Sequence, residues 1–315
     1  MISRPSAGFV GVFCMLGPVL MSPRYRSRVK GGLITARYPS FVEDVPMQQR
    51  DPVDVIVIGA MRAGTTSLHR MFTAHDQIAV PNEKEVDFFL GGDVWEKGER
   101  WYRRRFSDHD LLRVEVSPNY SKCLSFPFVP ERVATVAPAC RFIYLVRDPV
   151  NRAVSQHHHA TRSDAAGEVP DISHLIEVSS YALQLRAWLE CFPIERFMVL
   201  DQVRLFGNEG EERARLASFL GVEDNWMPPS KANSTAELAG IPDWFFSFRK
   251  TGVGRLARRW VPHDAKIRLK AALASNSSKV PEVDTDLREK IAQGVRADAA
   301  QFRALTRQEF ADWSV

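Results

Sequence analysis

The feature that most constrains the fold is a short apolar run that ends in a glycine-bearing turn. Residues 53–59 (VDVIVIG) are a nearly unbroken β-branched stretch, which is typical of a central strand buried on both faces of a parallel sheet. Residues 66–75 (TSLHRMFTAH) then carry apolar side chains at helical spacing. The sequence therefore predicts a strand, a loop and a helix in direct succession.

The same alternation continues along the chain. Because strands that alternate with helices form parallel sheets covered on both faces, we expect an α/β, P-loop-like three-layer fold with a central parallel sheet flanked by helices. At 315 residues, 45% of them apolar, the chain is long enough for one such domain. The other elements predicted are strands at 112–116, 141–146 and 197–200 and helices at 149–161, 181–192, 211–220 and 286–305, whereas 228–281 has no clear pattern.

The N-terminal part has a different character. Residues 7–21 (AGFVGVFCMLGPVLM) are apolar, but this stretch is too short and too broken by glycine and proline for a membrane span. A mistranslated or disordered leader is the preferred interpretation, with a weak membrane-surface anchor and a signal sequence as the alternatives. We expect 1–50 to be a flexible leader or linker and 51–315 to be a single domain. A cytoplasmic protein is expected, with the N-terminus as the candidate for peripheral membrane contact.

The loop after the first strand reads Gly59-Ala-Met-Arg-Ala-Gly64-Thr65-Thr66. Gly-x-x-x-x-Gly followed by hydroxyl residues has the frame of a P-loop, in which backbone N–H groups and a helix N-terminus hold an anion. The Lys that nucleoside triphosphatases place after the second glycine is replaced by Thr65, and a cation stands instead at Arg62. The loop suits a phosphate, and the alternative is a turn that only joins strand to helix.

A second candidate anion site follows the strand at 141–146. Arg147 lies at the carboxyl end of that predicted strand, where open α/β sheets bind ligands. Ser155 lies on the first turns of the next helix, so both side chains can reach one anion. The alternative is that Arg147 only pairs with Asp148 in its own loop.

The segments GAMRAGTTSL at 59–68 and RDPVNRAVSQHHH at 147–159 together resemble the sulfotransferases that use 3′-phosphoadenosine-5′-phosphosulfate (PAPS), in their bacterial and heparan-sulfate-type branch. In that family GxxKxGTTxL binds the 5′-phosphosulfate and RDPxxRxxSxxxH binds the 3′-phosphate. The resemblance implies sulfuryl transfer from PAPS to an acceptor hydroxyl or amine, with no metal. The donor-binding residues that it implies are Arg62, Ala63, Gly64, Thr65, Thr66, Ser67, Arg147 and Ser155.

The resemblance also implies catalytic roles for Glu85 and Arg62. Glu85 matches the Glu of an EVxFF segment that acts as general base in heparan-sulfate 3-O-sulfotransferases, although by itself it reads as part of a charged surface turn. Arg62 would stabilise the leaving 5′-phosphate by its fixed charge. The chain departs from these relatives at Val116, where they carry a catalytic Lys, and at Asp87, where they carry a His. Asp87 is therefore a secondary base candidate or an acceptor-binding group.

Other classes of site and partner are poorly supported. The net charge of +4 comes without a basic run interleaved with aromatics or zinc-finger spacing, so no nucleic-acid partner is expected. The cysteines form no CxxC pair, and we expect them to be reduced thiols. The three histidines at 157–159 follow one another on a predicted helix, so their side chains point about 100° apart and cannot all face one metal ion.

The expected acceptor is a small molecule, a carbohydrate or a lipid. A P-loop kinase-like enzyme and a catalytically degenerate nucleotide-binding protein remain the alternatives.

Overall fold

A computed structural model describes residues 50–106, 108, 110–162, 169–207, 210–227 and 285–315. Almost all of the predicted N-terminal leader and the unpatterned stretch 228–281 lie outside these residues. Within them, no helix is long and apolar enough to cross a membrane.

The strands of the described residues form one parallel sheet in the order β2-β3-β1-β4-β5, which confirms the predicted fold class. All of β1 is buried, as is all of β4 after its first residue. Because successive side chains of a strand point to opposite faces, complete burial means that both faces of the sheet are covered. The strands are β1 Val55–Gly59, β2 Ile78–Ala79, β3 Leu112–Val116, β4 Arg141–Val146 and β5 Phe197–Asp201.

The helices follow the predicted alternation with shifted ends. The predicted 66–75 helix runs over Thr65–Thr73, and the predicted 181–192 helix ends at Leu189. A helix at Ile172–Ser179 was not predicted. The described helices are α1 Thr65–Thr73, α2 Gly92–Glu96, α3 Gly98–Arg103, α4 Val129–Val136, α5 Pro149–Arg162, α6 Ile172–Ser179, α7 Tyr181–Leu189, α8 Gln202–Phe206, α9 Glu211–Leu220 and α10 Thr285–Thr306.

The segment after α10 packs back onto the sheet. Trp313 is 8% exposed, and its ring contacts those of Tyr181 and Phe302. Its indole Nε1 donates to Asp201 Oδ2 over 3.2 Å, at the end of β5. A buried Trp is expected to find such a partner, because its N–H is costly to desolvate. The C-terminal segment is therefore part of the main core.

Candidate functional site

The candidate site lies at the point where the order in which the chain adds strands to the sheet reverses. After β1 the chain adds β3 on one side of that strand and β4 on the other. Loops that leave the strands at such a switch point diverge, and the crevice between them is the usual ligand site of open α/β sheets. Here the loops follow Gly59, Val116 and Val146.

The backbone at the start of the phosphate loop is held by a hydrogen bond and by close packing. The amide of Ala60 donates to the carbonyl of Leu145 over 2.6 Å, which fixes the loop to β4. At Gly59 an added Cβ would lie 2.4 Å from Ser121 Oγ and 2.9 Å from Ser121 Cβ. Glycine is required at this position because the segment after β3 passes directly over it.

The loop ends in a helix N-terminus. Gly64 has φ 97°, in the left-handed region that glycine tolerates, and caps α1 without a side-chain bond. An α-helix leaves its first amides without intrahelical acceptors, so the start of α1 at Thr65 and Thr66 is suited to bind an anion. Strand, loop and helix thus occur in the predicted order.

Arg62 and Arg147 meet at this loop. Arg62, at φ 70°, donates from Nε to Ser155 Oγ over 3.2 Å. Arg147 donates from Nη1 to the carbonyl of Arg62 over 3.3 Å, and its own carbonyl accepts a bond from Tyr181 Oη at 3.0 Å. The structure thus brings together three residues predicted to bind the donor, from segments far apart in the sequence.

The two guanidinium groups are partly buried cations that lie close enough to affect each other. Burial lowers the pKa of Arg62, and the positive charge of Arg147 lowers it further. Burial also lowers the pKa of Arg147. Among the residues that the structure describes, neither forms an ion pair with a carboxylate. Two like charges held together in a partly desolvated crevice are suited to bind an anion.

Asp148 does not pair with Arg147, although the sequence left that alternative open. Its Oδ1 accepts from the amide of Asn151 at 2.6 Å. Its Oδ2 accepts from the amide of Ser314 at 2.5 Å and from the Ser314 hydroxyl at 2.7 Å. The carboxylate thus caps the start of α5 and bonds it to the C-terminal segment. It makes no bond to the Arg147 guanidinium, which lies beside the crevice.

Arg152 supports the loop from inside the protein. It is fully buried and donates to Ser179 Oγ (2.8 Å), Gln156 Oε1 (2.8 Å) and the carbonyls of Leu175 (3.1 Å) and Met61 (3.4 Å). Burial lowers the pKa of this guanidinium to about 10. The bond to Met61 reaches the residue next to Arg62, so Arg152 is a positioning residue for the phosphate loop.

Glu85 lies in a short loop that precedes the turn at Phe88–Leu90. Its backbone has φ 60°, its side chain is 35% exposed, and its Oε1 contacts Lys84 Nζ. Lys84 is close enough to His69 on α1 that its charge, after burial, lowers the pKa of that imidazole. The predicted base therefore lies in a segment next to the helix that follows the phosphate loop.

A buried network fixes this segment. Glu115, at the end of β3, is fully buried and accepts from Tyr102 Oη, from Tyr120 Oη at 2.7 Å and from Ser117 Oγ at 2.6 Å. The two hydroxyls that follow β3 accept in turn from backbone amides, Tyr120 Oη from Phe89 and Ser117 Oγ from Asp87. Glu115 thereby organises the backbone around Asp87 through hydroxyl groups.

The Asp87 carboxylate lies at the end of this network. Its Oδ2 accepts a hydrogen bond from Asn119 Nδ2 at 3.0 Å. The Oδ1 of Asn119 in turn accepts from Lys122 Nζ at 2.7 Å. Its Oδ1 is buried and has no hydrogen-bond partner among the described residues. Burial raises the pKa of Asp87, against the bonds from Asn119 and Ser117 and the charges of Lys122 and Lys84. This oxygen is suited to accept a bond from a ligand.

The predicted site residues thus fall into two groups. One group lies at the switch point, and Glu85 and Asp87 lie on the segment anchored by β3. The first group is Arg62, Ala63 and Gly64 in the loop after β1, Thr65, Thr66 and Ser67 at the start of α1, Arg147 after β4, and Ser155 on α5. Histidines 157–159 follow Ser155 on α5, and within the described ranges no group of His, Cys, Asp or Glu side chains is placed to hold a metal ion.

Sequence reasoning missed two cations near this site. Lys122 is six residues beyond Val116, and its charge acts on both Asp87 and Arg152. It is the cation of the loop after β3, a signal that could have drawn attention to it. Arg288 on α10 lowers the pKa of Arg147, and nothing in its local sequence indicates this.

The fold and the site define a class of protein. A parallel α/β sheet carries a phosphate loop without the P-loop lysine and a second arginine at the next strand end, which is an arrangement suited to an anionic ligand at the switch point. The chain belongs to the sulfotransferase domain family, whose sequence model matches residues 52–236.

Known proteins agree with this family. The chain is 28% identical over 186 residues to heparan sulfate glucosamine 3-O-sulfotransferase 5 of Homo sapiens, covering 53% of each chain. It is 23% identical over 214 residues to bifunctional heparan sulfate N-deacetylase/N-sulfotransferase 1 of Caenorhabditis elegans, covering 61% of this chain and 22% of that protein. The chain thus spans about half the length, or less, of these curated relatives. A solved sulfotransferase from Alicyclobacillus acidocaldarius shares the fold, with a TM-score of 0.58 at 20% identity over 84% of this chain and 99% of that one.

Proposed function

We propose that this protein transfers a sulfuryl group from PAPS to an acceptor hydroxyl or amine. The observation that carries the proposal is the pair Arg62 and Arg147, two half-buried cations linked through a backbone carbonyl, with Ser155 bonded to the first. Such a pair suits a nucleotide with a phosphate at each end of its adenosine. A nucleoside triphosphate would instead call for a Lys at Thr65.

The proposed donor contacts divide between the two ends of the nucleotide. Backbone amides of the loop and of the first turn of α1 would bind the 5′-phosphosulfate, together with the Arg62 side chain. The residues concerned are Arg62, Ala63, Gly64, Thr65, Thr66 and Ser67. Arg147 and Ser155 would bind the 3′-phosphate, one by a forked charge and the other by a hydroxyl.

In the proposed reaction, the bond from sulfur to the bridging oxygen of the 5′-phosphate breaks as a bond from sulfur to the acceptor atom forms. The product that leaves is 3′-phosphoadenosine-5′-phosphate (PAP). Arg62 and the loop amides would stabilise the charge that develops on its 5′-phosphate. Because a guanidinium stays protonated, the contribution of Arg62 is electrostatic rather than that of a proton donor.

The acceptor must lose a proton, and we propose that Glu85 receives it. Support comes from its place in a segment that the β3 network anchors near α1 and from its partly exposed carboxylate. Asp87 is the second carboxylate of this segment, and its unpartnered Oδ1 supports a role in binding the acceptor. The proton transfer would be general-base catalysis, in which geometry counts first.

Carbohydrates are the first acceptor class to test. Relatives at 25–28% identity are named for heparan sulfate glucosamine, which offers both hydroxyl and amine groups. Val116 and Asp87 depart from the residues that those relatives carry, so hydroxylated small molecules and lipid alcohols belong in the same screen.

The test of the donor assignment is calorimetric titration of the full chain with PAP, with ATP plus Mg²⁺ as the comparison ligand. We expect micromolar PAP binding, lost in Arg147→Ala and weakened in Ser155→Ala. The matched control is Arg70→Ala, which removes an exposed arginine from α1. Preference for ATP with Mg²⁺, or binding of neither ligand, would overturn the proposal.

If PAP binds, radiolabelled sulfuryl transfer from PAPS to the acceptor panel follows. Glu85→Gln serves as the inactive comparison, since it keeps the size of the side chain and removes the base. A Glu85→Gln protein as active as the wild type would remove Glu85 from the mechanism while leaving the donor site intact.

A further inference from the structure

Arg288 reaches the candidate donor site from the other end of the sequence. It lies in the first turns of α10, is half-buried, and donates from Nη1 to Asn151 Oδ1 over 3.2 Å. Helix α10 begins beyond the region 52–236 that the family's sequence model matches. The two motifs at 59–68 and 147–159 do not include Arg288.

The partner of Arg288 places it beside Ser155. Asn151 and Ser155 are four residues apart on α5, so they lie on the same face of the helix, about 6 Å apart at their Cβ atoms. The backbone of Asn151 is fixed as well, since its amide donates to Asp148 Oδ1 over 2.6 Å. Arg288 is thus held one helical turn from a residue proposed to bind the 3′-phosphate.

The charge of Arg288 also acts on Arg147. After burial, which lowers the pKa of Arg147 most, the positive charge of Arg288 lowers it further, against the opposing effects of Tyr181, Asp148 and Asp201. Bringing two cations together costs free energy unless an anion compensates.

The nearby carboxylates do not supply that compensation by direct bonds. Asp148 is bound by Asn151 and Ser314, while Asp201 accepts from the amides of Val203 and Arg204 and from the Trp313 indole. Among the described residues, neither Arg147 nor Arg288 forms an ion pair. The structure therefore brings Arg288 close enough to Arg147 for the two charges to repel each other, without a carboxylate bonded to either.

We propose that Arg288 binds the 3′-phosphate of the donor together with Arg147 and Ser155, so that helix α10 completes the nucleotide site. This inference rests on the proposed function. It gives the protein a second guanidinium with which to select a 3′-phosphorylated nucleotide over one that carries only a 5′-phosphate. The alternative is that Arg288 only docks α10 on α5 through Asn151.

The experiment compares Arg288→Gln with the wild type by titration with PAP and, in competition with PAP, with 5′-AMP, which lacks the 3′-phosphate. Glutamine keeps an amide that can donate to Asn151 and removes the charge. Arg296→Gln is the matched control, because it removes an exposed arginine from the same helix. Thermal unfolding of each variant without ligand reports on the docking of α10.

We expect Arg288→Gln to weaken PAP about tenfold, as befits the loss of one charge-assisted hydrogen bond, while 5′-AMP and the melting temperature change little. The Arg296→Gln protein should bind both ligands as the wild type does. Unchanged PAP affinity, or an equal loss for both ligands with a lower melting temperature, would reduce Arg288 to a docking residue. Failure of the wild type to bind PAP would instead count against the proposed function itself.

Discussion

Arg62 Nε donates a hydrogen bond to Ser155 Oγ over 3.2 Å, and this bond joins segments that are 93 positions apart in the sequence. Arg62 belongs to the phosphate loop and Ser155 to α5, so the bond connects the two ends of the proposed nucleotide site. A substitution at Arg62 should therefore also affect ligand binding at Ser155, and a substitution at Ser155 should affect binding at Arg62.

The first prediction concerns the charge at Arg62. Arg62→Gln should lower kcat by about 100-fold at saturating PAPS, because a preorganised donor to the leaving phosphate is lost. Arg62→Lys should give an intermediate rate, since it restores the charge as a compact ammonium without the fork of the guanidinium. Initial rates of labelled sulfuryl transfer to an acceptor found in the screen measure both. Wild-type turnover in the Gln variant would contradict the role.

The second prediction concerns pH and the two acceptor-side carboxylates. Burial raises the pKa of Asp87, so this group takes up its proton at a higher pH than the ordinary value of about 4. If ionised Asp87 binds the acceptor, activity should fall as the pH drops through that raised pKa, and Asp87→Asn should remove this limb while raising KM. Glu85→Gln should mainly lower kcat. The pH profiles of kcat/KM separate the two, and an unchanged acid limb in Asp87→Asn would exclude Asp87 as its source.

The third prediction concerns Arg152, the buried arginine that donates to the backbone of the phosphate loop. Arg152→Met should lower the free energy of unfolding by about 3 kcal/mol, because Ser179, Gln156 and two carbonyls lose their donor. Urea unfolding measures the change. Arg186→Met, at an exposed position, is the control and should stay within about 0.5 kcal/mol of the wild type. An Arg152→Met protein as stable as this control would show that the bonds of Arg152 contribute nothing net.

The fourth prediction tests the close passage of two segments at Gly59. Gly59→Ala should destabilise the fold by about 1–3 kcal/mol, because the new Cβ would lie 2.4 Å from Ser121 Oγ. Ser121→Gly should restore much of that loss in the double variant, since it removes the hydroxyl and the Cβ that the alanine meets. Additive losses in the double variant would mean that the clash does not set the cost.

Much of the sheet could be predicted from sequence because its strands are buried on both faces. The runs at 112–116 and 141–146 match β3 and β4 to the residue. The edge strand Ile78–Ala79 was missed, because two residues are too few to show a period. The phosphate loop was recognised because its glycines, strand and helix are adjacent in the sequence.

The remaining parts of the site depend on contacts between distant segments. Nothing near Glu115 indicates that it would accept bonds from Tyr102, Tyr120 and Ser117, and nothing near Arg288 indicates its approach to Asn151. Such pairs are fixed by how elements pack in three dimensions, which a pattern along one chain does not report. The functional assignment of Glu85 likewise came from the family resemblance and stays a prediction.

The bond between Asp148 and Ser314 has a consequence for how the protein is made. The two residues are 166 positions apart, and at about 5–20 residues per second the ribosome needs roughly 10–30 s to travel from one to the other. During that interval the nascent chain contains the start of α5 but lacks the residue whose amide and hydroxyl bond Asp148 there. The contact between Asp148 and Ser314 therefore forms only after all five described strands of the sheet, from β1 to β5, have been synthesised.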